Sequence, residues 1–408
     1  MKKNLIFAAL AAMVMSVAFV ACSQDEDLAP IANNSTVKTN VKNVANGEMG
    51  FVAITNNPSA TRGYELTAAS QVANFQVFGF LEDGTQYVGS ALNSGIMIDG
   101  DDDGEGNYSD WDYRTASDVA YWPQAWVRFQ AIYPAEDASF SIDETAKATG
   151  VDFGSGHNND GEEQKLTATV TVPTTVTAQK DIMFAKASSD GTTHTAETNP
   201  AVALTFDHAM SQVVFQGKVA SDKIAVEIND IKLKNIKQIG KVGYFGEDQA
   251  LSANATGYAN TDYSIGLVAT PTLGSSDVST AKNLTAATGA LFMLPQTGTA
   301  WTHTAPNKAV ADAAGTSSAN GQGILAISCK ITSAGQYLVG DASNFETVYI
   351  PFEAAWSQGY KYIYTLVFGK GTGAFDEDGD PLDTMLPISY TVSAINGWTS
   401  STPGAIEF

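Results

Sequence analysis

Short segments in which apolar and polar residues alternate recur along this chain, and they constrain its fold more than any other feature. A two-residue repeat places successive side chains on opposite sides of a β-strand. Clear examples are LTATVTV (166–172), ILAISCKIT (324–332), YKYIYTLVF (360–368) and PISYTVSA (387–394). Strands with one apolar and one polar face favour antiparallel sheets that pack face to face. The sequence therefore predicts an all-β fold built from β-sandwiches.

The chain is long enough for two such sandwiches. It has 408 residues, and 44% of them are hydrophobic, which is sufficient to fill two cores. A polar stretch, ETNP, spans residues 197–200 and follows the apolar run around DIMFAKAS. We place the boundary there, which predicts an N-terminal β-sandwich over residues 63–199 and a C-terminal β-sandwich over residues 200–408.

Charge and motifs exclude several functions. The formal net charge is −22, so nucleic acid is not an expected partner. The four histidines have no metal-ligand spacing, and neither HExxH nor GxSxG occurs. Asp207 and His208 are adjacent, but they lie at the end of a predicted strand, which favours a structural role. No enzyme activity and no catalytic residue is expected. A surface hydrolase would require a convergent pair of carboxylates, and no pair is singled out.

One acidic loop has the spacing of a calcium site. In DGDDDGEGNYSD the four residues Asp99, Asp101, Asp103 and Asp110 occupy positions 1, 3, 5 and 12 of the D-x-D-x-D-G pattern. Position 12 carries aspartate instead of the usual glutamate, and no flanking helices are evident. The alternative interpretation is a solvated acidic loop. Otherwise no cofactor is expected.

The N-terminus resembles the lipobox of bacterial lipoproteins. Lys2 and Lys3 precede an almost wholly apolar run over residues 5–21, which ends directly before Cys22. The resemblance implies a signal peptide over residues 1–21 and lipid on the Cys22 sulfur. The next residues, SQDED (23–27), resemble the export tag that directs lipoproteins of Bacteroidetes to the outer face of the outer membrane. The alternative is an ordinary signal peptide with an incidental cysteine. The other cysteine, Cys329, is expected to be buried.

A set of segments in a fixed order resembles the fimbrillins of Bacteroidetes, the shaft pilins of type V pili. These segments are EMGFVAITNNPSATRGYE (48–65), FQVFGFLEDG (75–84), YWPQAWVRFQAIYP (121–134), LTFDHAMSQVVFQGKV (204–219), YKYIYTLVFGKG (360–371) and SYTVSAINGW (389–398). The resemblance implies two transthyretin-like sandwich domains and export as a lipoprotein. It also implies cleavage after an arginine by an arginine-specific protease, followed by polymerisation through strand exchange.

The arginine that matches the family pattern is Arg62, before Gly63. The chain has three arginines, and Arg62 follows the polar stretch NNPSAT, which a protease can reach. Arg128 lies within a predicted strand, whereas Arg114 lies in a loop and is the competing site. Residues 22–62 would then be a tether and propeptide, with one removable strand, GFVAIT, that completes the first sandwich.

The C-terminal segment is the predicted donor strand. Its expected anchors are Ile395, Trp398, Ile406 and Phe408. The implied partners are further copies of the chain, tip and anchor pilins, the processing protease and, through the lipid, the outer membrane. The function expected is that of a structural subunit of a surface fimbrium that supports adhesion. The alternative is a surface lipoprotein that does not polymerise, such as a tip or anchor adhesin binding glycan or a host protein.

Overall fold

A computed structural model describes most of the chain after residue 46. The described residues are 47–55, 72–83, 85–89, 95–104, 107–135, 140–152, 158–195, 199–242, 251–253, 262–269, 271–298, 323–369, 388–396 and 405–406. Side chains are not described for residues 140–168, 241–253, 394–396 and 405–406, nor for residue 55. Cys22, Arg62, Gly63, Trp398 and Phe408 lie outside the described residues.

The described residues form strands joined by turns and a few short 3₁₀ segments. The 3₁₀ segments are Ala116–Asp118, Val176–Ala178, Gly191–Thr193 and Ser275–Asp277. The strands are β1 Phe51–Thr55, β2 Asn74–Leu81, β3 Gln86–Val88, β4 Ile96–Asp102, β5 Tyr108–Tyr113, β6 Trp126–Tyr133, β7 Phe140–Asp152, β8 Asn158–Thr171, β9 Met183–Asp190, β10 Val202–His208, β11 Ser211–Val219, β12 Ile224–Lys234, β13 Ile239–Val242, β14 Leu251–Ala253, β15 Tyr263–Ser264, β16 Thr272–Leu273, β17 Lys282–Asn283, β18 Leu291–Met293, β19 Gln296–Thr297, β20 Gly323–Ser333, β21 Gln336–Val339, β22 Glu346–Phe352, β23 Ala355–Trp356, β24 Tyr360–Phe368, β25 Ile388–Asn396 and β26 Ala405–Ile406. The predicted all-β class is confirmed.

The N-terminal sheet has the strand order β1-β10-β9-β6-β2-β4-β5, with β3 paired to β2. Although β1 and β5 are its two ends, they lie close together, because the ring centroids of Phe51 on β1 and Tyr113 on β5 are 6.2 Å apart. The sheet therefore curls round a core. That core is made of buried apolar side chains, including Phe51, Phe75, Val77, Phe129, Met183, Leu204 and Phe206.

The C-terminal half contains two larger sheets with a common core. One has the order β17-β11-β24-β25-β26 and the other the order β15-β12-β20-β21. Alternate residues of β20 and β24 point into this core, as their two-residue repeats predict. The buried residues at these positions are Leu325, Ile327, Cys329, Ile331, Tyr362, Tyr364, Leu366 and Phe368. The predicted burial of Cys329 is confirmed, since the residue is 0% exposed.

Two features differ from the expected antiparallel domains. First, β1 pairs with β10, and β11 with β24, in parallel. Parallel pairs need long connections, and about 140 residues separate the strands of each pair, so a local pattern does not reveal them. Second, β10 pairs with β9 and belongs to the N-terminal sheet. This pairing places the end of the N-terminal sheet after His208, beyond the boundary predicted at residues 199 and 200.

The division into two domains stays a prediction. Residues 42–408 form one compact unit. A four-stranded sheet, β14-β13-β8-β7, joins strands from both sides of the predicted boundary. The larger core also takes Phe78, Phe80 and Phe184 from the N-terminal sheet. In the part of the chain that the structure describes, no helix has the length and apolar character needed to cross a membrane.

Candidate functional site

The site of interest is the strand β1, which lies directly before the segment that contains Arg62. Its five residues pair with β10 in parallel, from Phe51 opposite Val202 to Thr55 opposite Phe206. The strand is at an end of the sheet, so β10 is the neighbour with which it forms a ladder. An edge strand can leave a sheet without breaking any other ladder.

Alternate side chains of this segment are core residues. Met49 and Ala53 are 0% exposed and Phe51 is 4% exposed. The Phe51 ring meets the Phe129 ring edge-on, with centroids 5.4 Å apart. Burial of a Met or Phe side chain contributes about 1.5–3 kcal/mol. The segment therefore fills the N-terminal core, and removing it would uncover an apolar groove along β10.

The tyrosine Tyr113, on the opposite edge strand β5, is bonded to the same segment. Its hydroxyl donates to the Met49 carbonyl oxygen at 2.7 Å and accepts from the Ala120 amide at 3.3 Å. Burial raises the pKa of Tyr113, so the hydroxyl stays protonated and remains a donor throughout the physiological range. The Met49 amide in turn donates to the Ala120 carbonyl oxygen at 2.8 Å.

A buried asparagine, Asn199, holds the preceding residue. Its Nδ2 donates to the Glu48 carbonyl oxygen at 2.6 Å, and its Oδ1 accepts from Trp122 Nε1 at 2.8 Å. Asn199 is 1% exposed. The Trp122 amide also donates to the Gly47 carbonyl oxygen at 2.9 Å. Residues 47–49 are therefore bonded both to the 120–122 loop and to Asn199.

The imidazole of His194 completes this network. Its Nδ1 lies 3.0 Å from Asn199 Oδ1, and its Nε2 lies 2.8 Å from Ser189 Oγ. Because Asn199 Oδ1 only accepts, Nδ1 carries the proton and the Ser189 hydroxyl donates to Nε2 in the neutral ring. The ring also stacks on Trp122, with centroids 3.6 Å apart.

The order serine, histidine, asparagine has the connectivity of a hydrolytic triad. In this protein the Asn199 amide is bonded to the Glu48 backbone, and the imidazole is covered by Trp122 on one face. We interpret the network as structural, since each polar group serves to hold the Glu48 region.

The two described arginines are poor protease sites. Arg128 is 3% exposed and lies in β6, in the middle of the N-terminal sheet. Arg114 forms a forked ion pair with Asp99, since its Nε and one terminal nitrogen each donate to a different carboxylate oxygen at 2.8 Å. A protease pocket would have to break that pair. Of the competing sites, neither presents a free arginine side chain.

The four aspartates of the calcium prediction do not converge. They lie on the β4–β5 hairpin, where Asp99 is opposite Asp112 and Asp101 opposite Ser109. The Asp103 carboxylate accepts from the Asn107 side chain at 3.0 Å. Among the described residues, no three His, Cys, Asp or Glu side chains are grouped to hold a metal. The geometry favours the alternative, a solvated acidic hairpin.

Two of the predicted donor anchors, Ile395 and Ile406, lie in strands that pair within the same chain. Ile395 lies within β25, opposite Lys361 of β24, so it is part of a paired strand and is not beyond the last one. The last strand is therefore longer than expected, because the two-residue repeat of β25 continues to Asn396, and the role of Ile395 as a donor anchor stays a prediction. Ile406 lies in β26 and pairs with Val392 of the same chain.

The sequence did not single out the residues that hold Glu48. Asn199 and Glu48 are 151 positions apart, and Tyr113 and Met49 are 64 apart. Only the departure from the repeat in YWPQAW, where two tryptophans flank a proline, marks the loop that contains Trp122.

Comparison with known proteins gave one strong match. A family model described as fimbrillin-like matches residues 61–393. A search of curated proteins found no match. A structure from Bacteroides ovatus, of a proposed cell adhesion protein, is similar with 12% identity and a TM-score of 0.41, over 87% of this chain and 99% of that one. The fimbrial anchor protein Mfa2 from Porphyromonas gingivalis is similar with 9% identity and a TM-score of 0.35, over 86% and 98%. Both structural likenesses are too weak to carry an argument.

Proposed function

Since the chain belongs to the fimbrillin-like family, we propose that it is a pilin that polymerises by exchange of its N-terminal strand for a strand of another subunit. Family membership makes it a structural, non-enzymatic protein of the cell surface, associated with other fimbrial subunits. The finer steps are export as a lipoprotein, cleavage after Arg62 and polymerisation. The lipid on Cys22 anchors the precursor in the outer membrane until the cut separates it from residues 63–408.

One observation carries this proposal. The strand β1 is at the edge of its sheet, and together with the preceding Met49 it fills the core through Phe51 and Ala53. This segment is joined to the remaining strands through the Arg62 segment. A cut after Arg62 severs this strand from the domain without breaking the chain anywhere else. The groove left along β10 has an unpaired backbone edge and an apolar floor, which is the kind of surface that captures another strand.

The C-terminal segment of a neighbouring copy is the proposed occupant. Trp398, Ile406 and Phe408 supply large apolar side chains beyond β25. Main-chain bonds to β10 would supply affinity, and alternate side chains would set the register. Ile395 stays a predicted anchor within β25, and the part of the donor beyond β25 begins at residue 397.

Two variants test the proposal. Arg62→Ala should be exported and lipidated but stay monomeric, whereas Arg114→Ala is the matched control and should polymerise normally. Deletion of residues 397–408 should leave cleavage intact and abolish fibres. Fibres are scored by negative-stain electron microscopy of purified chains treated with an arginine-specific protease. Normal fibres from Arg62→Ala would contradict the processing site, and normal fibres from the deletion would contradict the donor.

A subunit that does not polymerise is the second candidate. It is favoured by the pairing of β26 with β25 of the same chain, because a tail held on its own sheet is not available to a neighbour. In that case the cleaved chain would stay monomeric at any concentration, and it would bind glycan or a host protein as a tip or anchor subunit.

A further inference from the structure

The segment that contains β1 is held unevenly along its length. At its beginning, the Gly47 carbonyl oxygen accepts from the Trp122 amide at 2.9 Å, and the Met49 amide donates to the Ala120 carbonyl oxygen at 2.8 Å. Two side chains add bonds from other elements: Asn199 to the Glu48 carbonyl and Tyr113 to the Met49 carbonyl. We name this arrangement the N-terminal lock. It consists of residues 47–49 and their partners Tyr113, Ala120, Trp122 and Asn199.

The other end of the segment has fewer attachments. The hydrogen bonds that the structure describes for Phe51–Thr55 are those of the ladder with β10. Phe51 and Ala53 are buried, but Ile54 is only half-buried. Seven residues, 56–62, separate this end from the proposed cut. Cleavage after Arg62 therefore creates the new chain end on the Thr55 side of the segment, at the end opposite the lock.

Cleavage alone does not break any of these contacts. The bonds of the lock, the ladder with β10 and the buried side chains of Met49, Phe51 and Ala53 are all non-covalent and lie before residue 56. A cut strand of this kind stays bound by the same contacts that held it before. Release must then be driven by a competitor for the same groove.

We propose that the N-terminal lock retains the cleaved segment and makes strand exchange directional, with Thr55 displaced first and Glu48 last. This rests on the proposed function, because it takes a strand of a second copy as the competitor. An incoming strand replaces the ladder bonds one pair at a time, and it starts at the end of the resident strand that lies next to the cut. The lock bonds come from the 120–122 loop, β5 and Asn199, so the competitor reaches them only at the end.

Asn199 and Tyr113 are positioning residues in this device. Both act by holding the backbone of Glu48 and Met49, and neither lies on β10, where the competitor pairs. Their loss should therefore speed the last step, release of the segment, and leave the cut itself unchanged.

The order of opening is tested on the full-length chain in detergent after cutting with an arginine-specific protease. Gel filtration should show residues 1–62 eluting with residues 63–408. Hydrogen–deuterium exchange with fragmentation in the spectrometer should give slower exchange at the Met49 amide than at those alternate amides of β1 that donate to β10, and among the latter exchange should be faster nearer Thr55. Immediate loss of the segment on cutting, or uniform exchange along it, would overturn the proposal.

Variants test the positioning residues. Tyr113→Phe removes only a hydroxyl, and it should speed release of the cut segment roughly tenfold, since its buried acceptor loses a bond. Asn199→Ala should speed release further. Tyr362→Phe is the matched control, because its hydroxyl accepts from the Ser357 amide in the C-terminal half, and it should leave release unchanged. Equal rates for Tyr113→Phe and Tyr362→Phe would contradict the lock.

The failure of this proposal and the failure of the proposed function look different. If the chain opens in the expected order yet forms no fibres, the lock is supported and the proposed polymerisation is contradicted. If the chain forms fibres but loses the segment in one step, without delay, the lock is contradicted and the proposed polymerisation is supported.

Discussion

The two halves of the molecule close their cores in different ways. In the N-terminal sheet, the core is closed by β1, which pairs in parallel with β10. This strand precedes Arg62 in the sequence, whereas all other strands of the sheet follow it. In the C-terminal half, the long strand β24 lies between β11 and β25, and all three follow residue 210. Under the proposed function, one cut after Arg62 makes the strand that closes the first core replaceable and leaves the second core complete. If the proposed function is right, this difference would let cleavage of a single peptide bond control assembly without destabilising the C-terminal half.

The largest expected effect comes from a matched pair of aromatic substitutions. Phe51→Ala and Phe352→Ala each remove a buried ring, and each should cost about 3–5 kcal/mol in the precursor. After cleavage and exchange, only Phe352→Ala should still be destabilising, because Phe51 has left with the segment. Urea unfolding, monitored by hydrogen exchange in each half of the chain, measures the loss of unfolding free energy that each substitution causes. A persistent effect of Phe51→Ala in assembled fibres would show that β1 had not been replaced.

The reactivity of Cys329 tests whether the C-terminal core stays closed when the N-terminal core opens. Burial raises the pKa of the Cys329 thiol, so it stays protonated and unreactive while its sheet is folded. A thiol reagent at pH 8 should label Cys329 equally slowly in the precursor and in the cleaved chain, as measured by peptide mass spectrometry. Faster labelling after cleavage would mean that the cut loosens the C-terminal core as well.

The sequence predicted those parts of the fold that depend on local repeats. The buried faces of β20 and β24 follow directly from their alternation, and so does the burial of Cys329. The parallel pairing of β1 with β10 was not predicted, because the strands are separated by most of the N-terminal half and their two-residue repeats do not identify a partner. The boundary at ETNP stays a prediction, and the return of β10, which follows it, to the first sheet is a long-range pairing of the same kind.

The candidate site was predicted only in part. The strand GFVAIT was expected to complete the first sandwich, and β1 does lie in that sheet with Phe51 and Ala53 buried. The lock around Glu48 depends on side chains from three distant segments, which a single sequence does not bring together. The calcium spacing does not distinguish a metal site from a solvated loop, because the same aspartates suit a β-hairpin whose charges face solvent or pair with Arg114.

The smallest effect concerns the hairpin that competes as a processing site. Asp99→Asn removes the forked partner of Arg114, and this exposed pair should contribute only about 0.2–1 kcal/mol to stability. Its clearer consequence is kinetic: because the charged Asp99 carboxylate no longer competes for the guanidinium, an arginine-specific protease should cut the peptide bond after Arg114 faster. Asp101→Asn, an exposed position two residues further along β4, is the control. Cutting at Arg114 in the unaltered chain, at a rate equal to that at Arg62, would contradict the assignment of the processing site.

The central claim is that β1 must leave the N-terminal core before the subunit can polymerise, and a reversible cross-link tests it most directly. Val52 of β1 and Ala203 of β10 are register partners away from the core, so cysteines at both positions can form a disulfide between adjacent strands. The oxidised Val52→Cys, Ala203→Cys chain should be cut after Arg62 and remain monomeric, and a reducing agent should then restore fibres. Fibres that form at the normal rate while the disulfide is intact would contradict the claim.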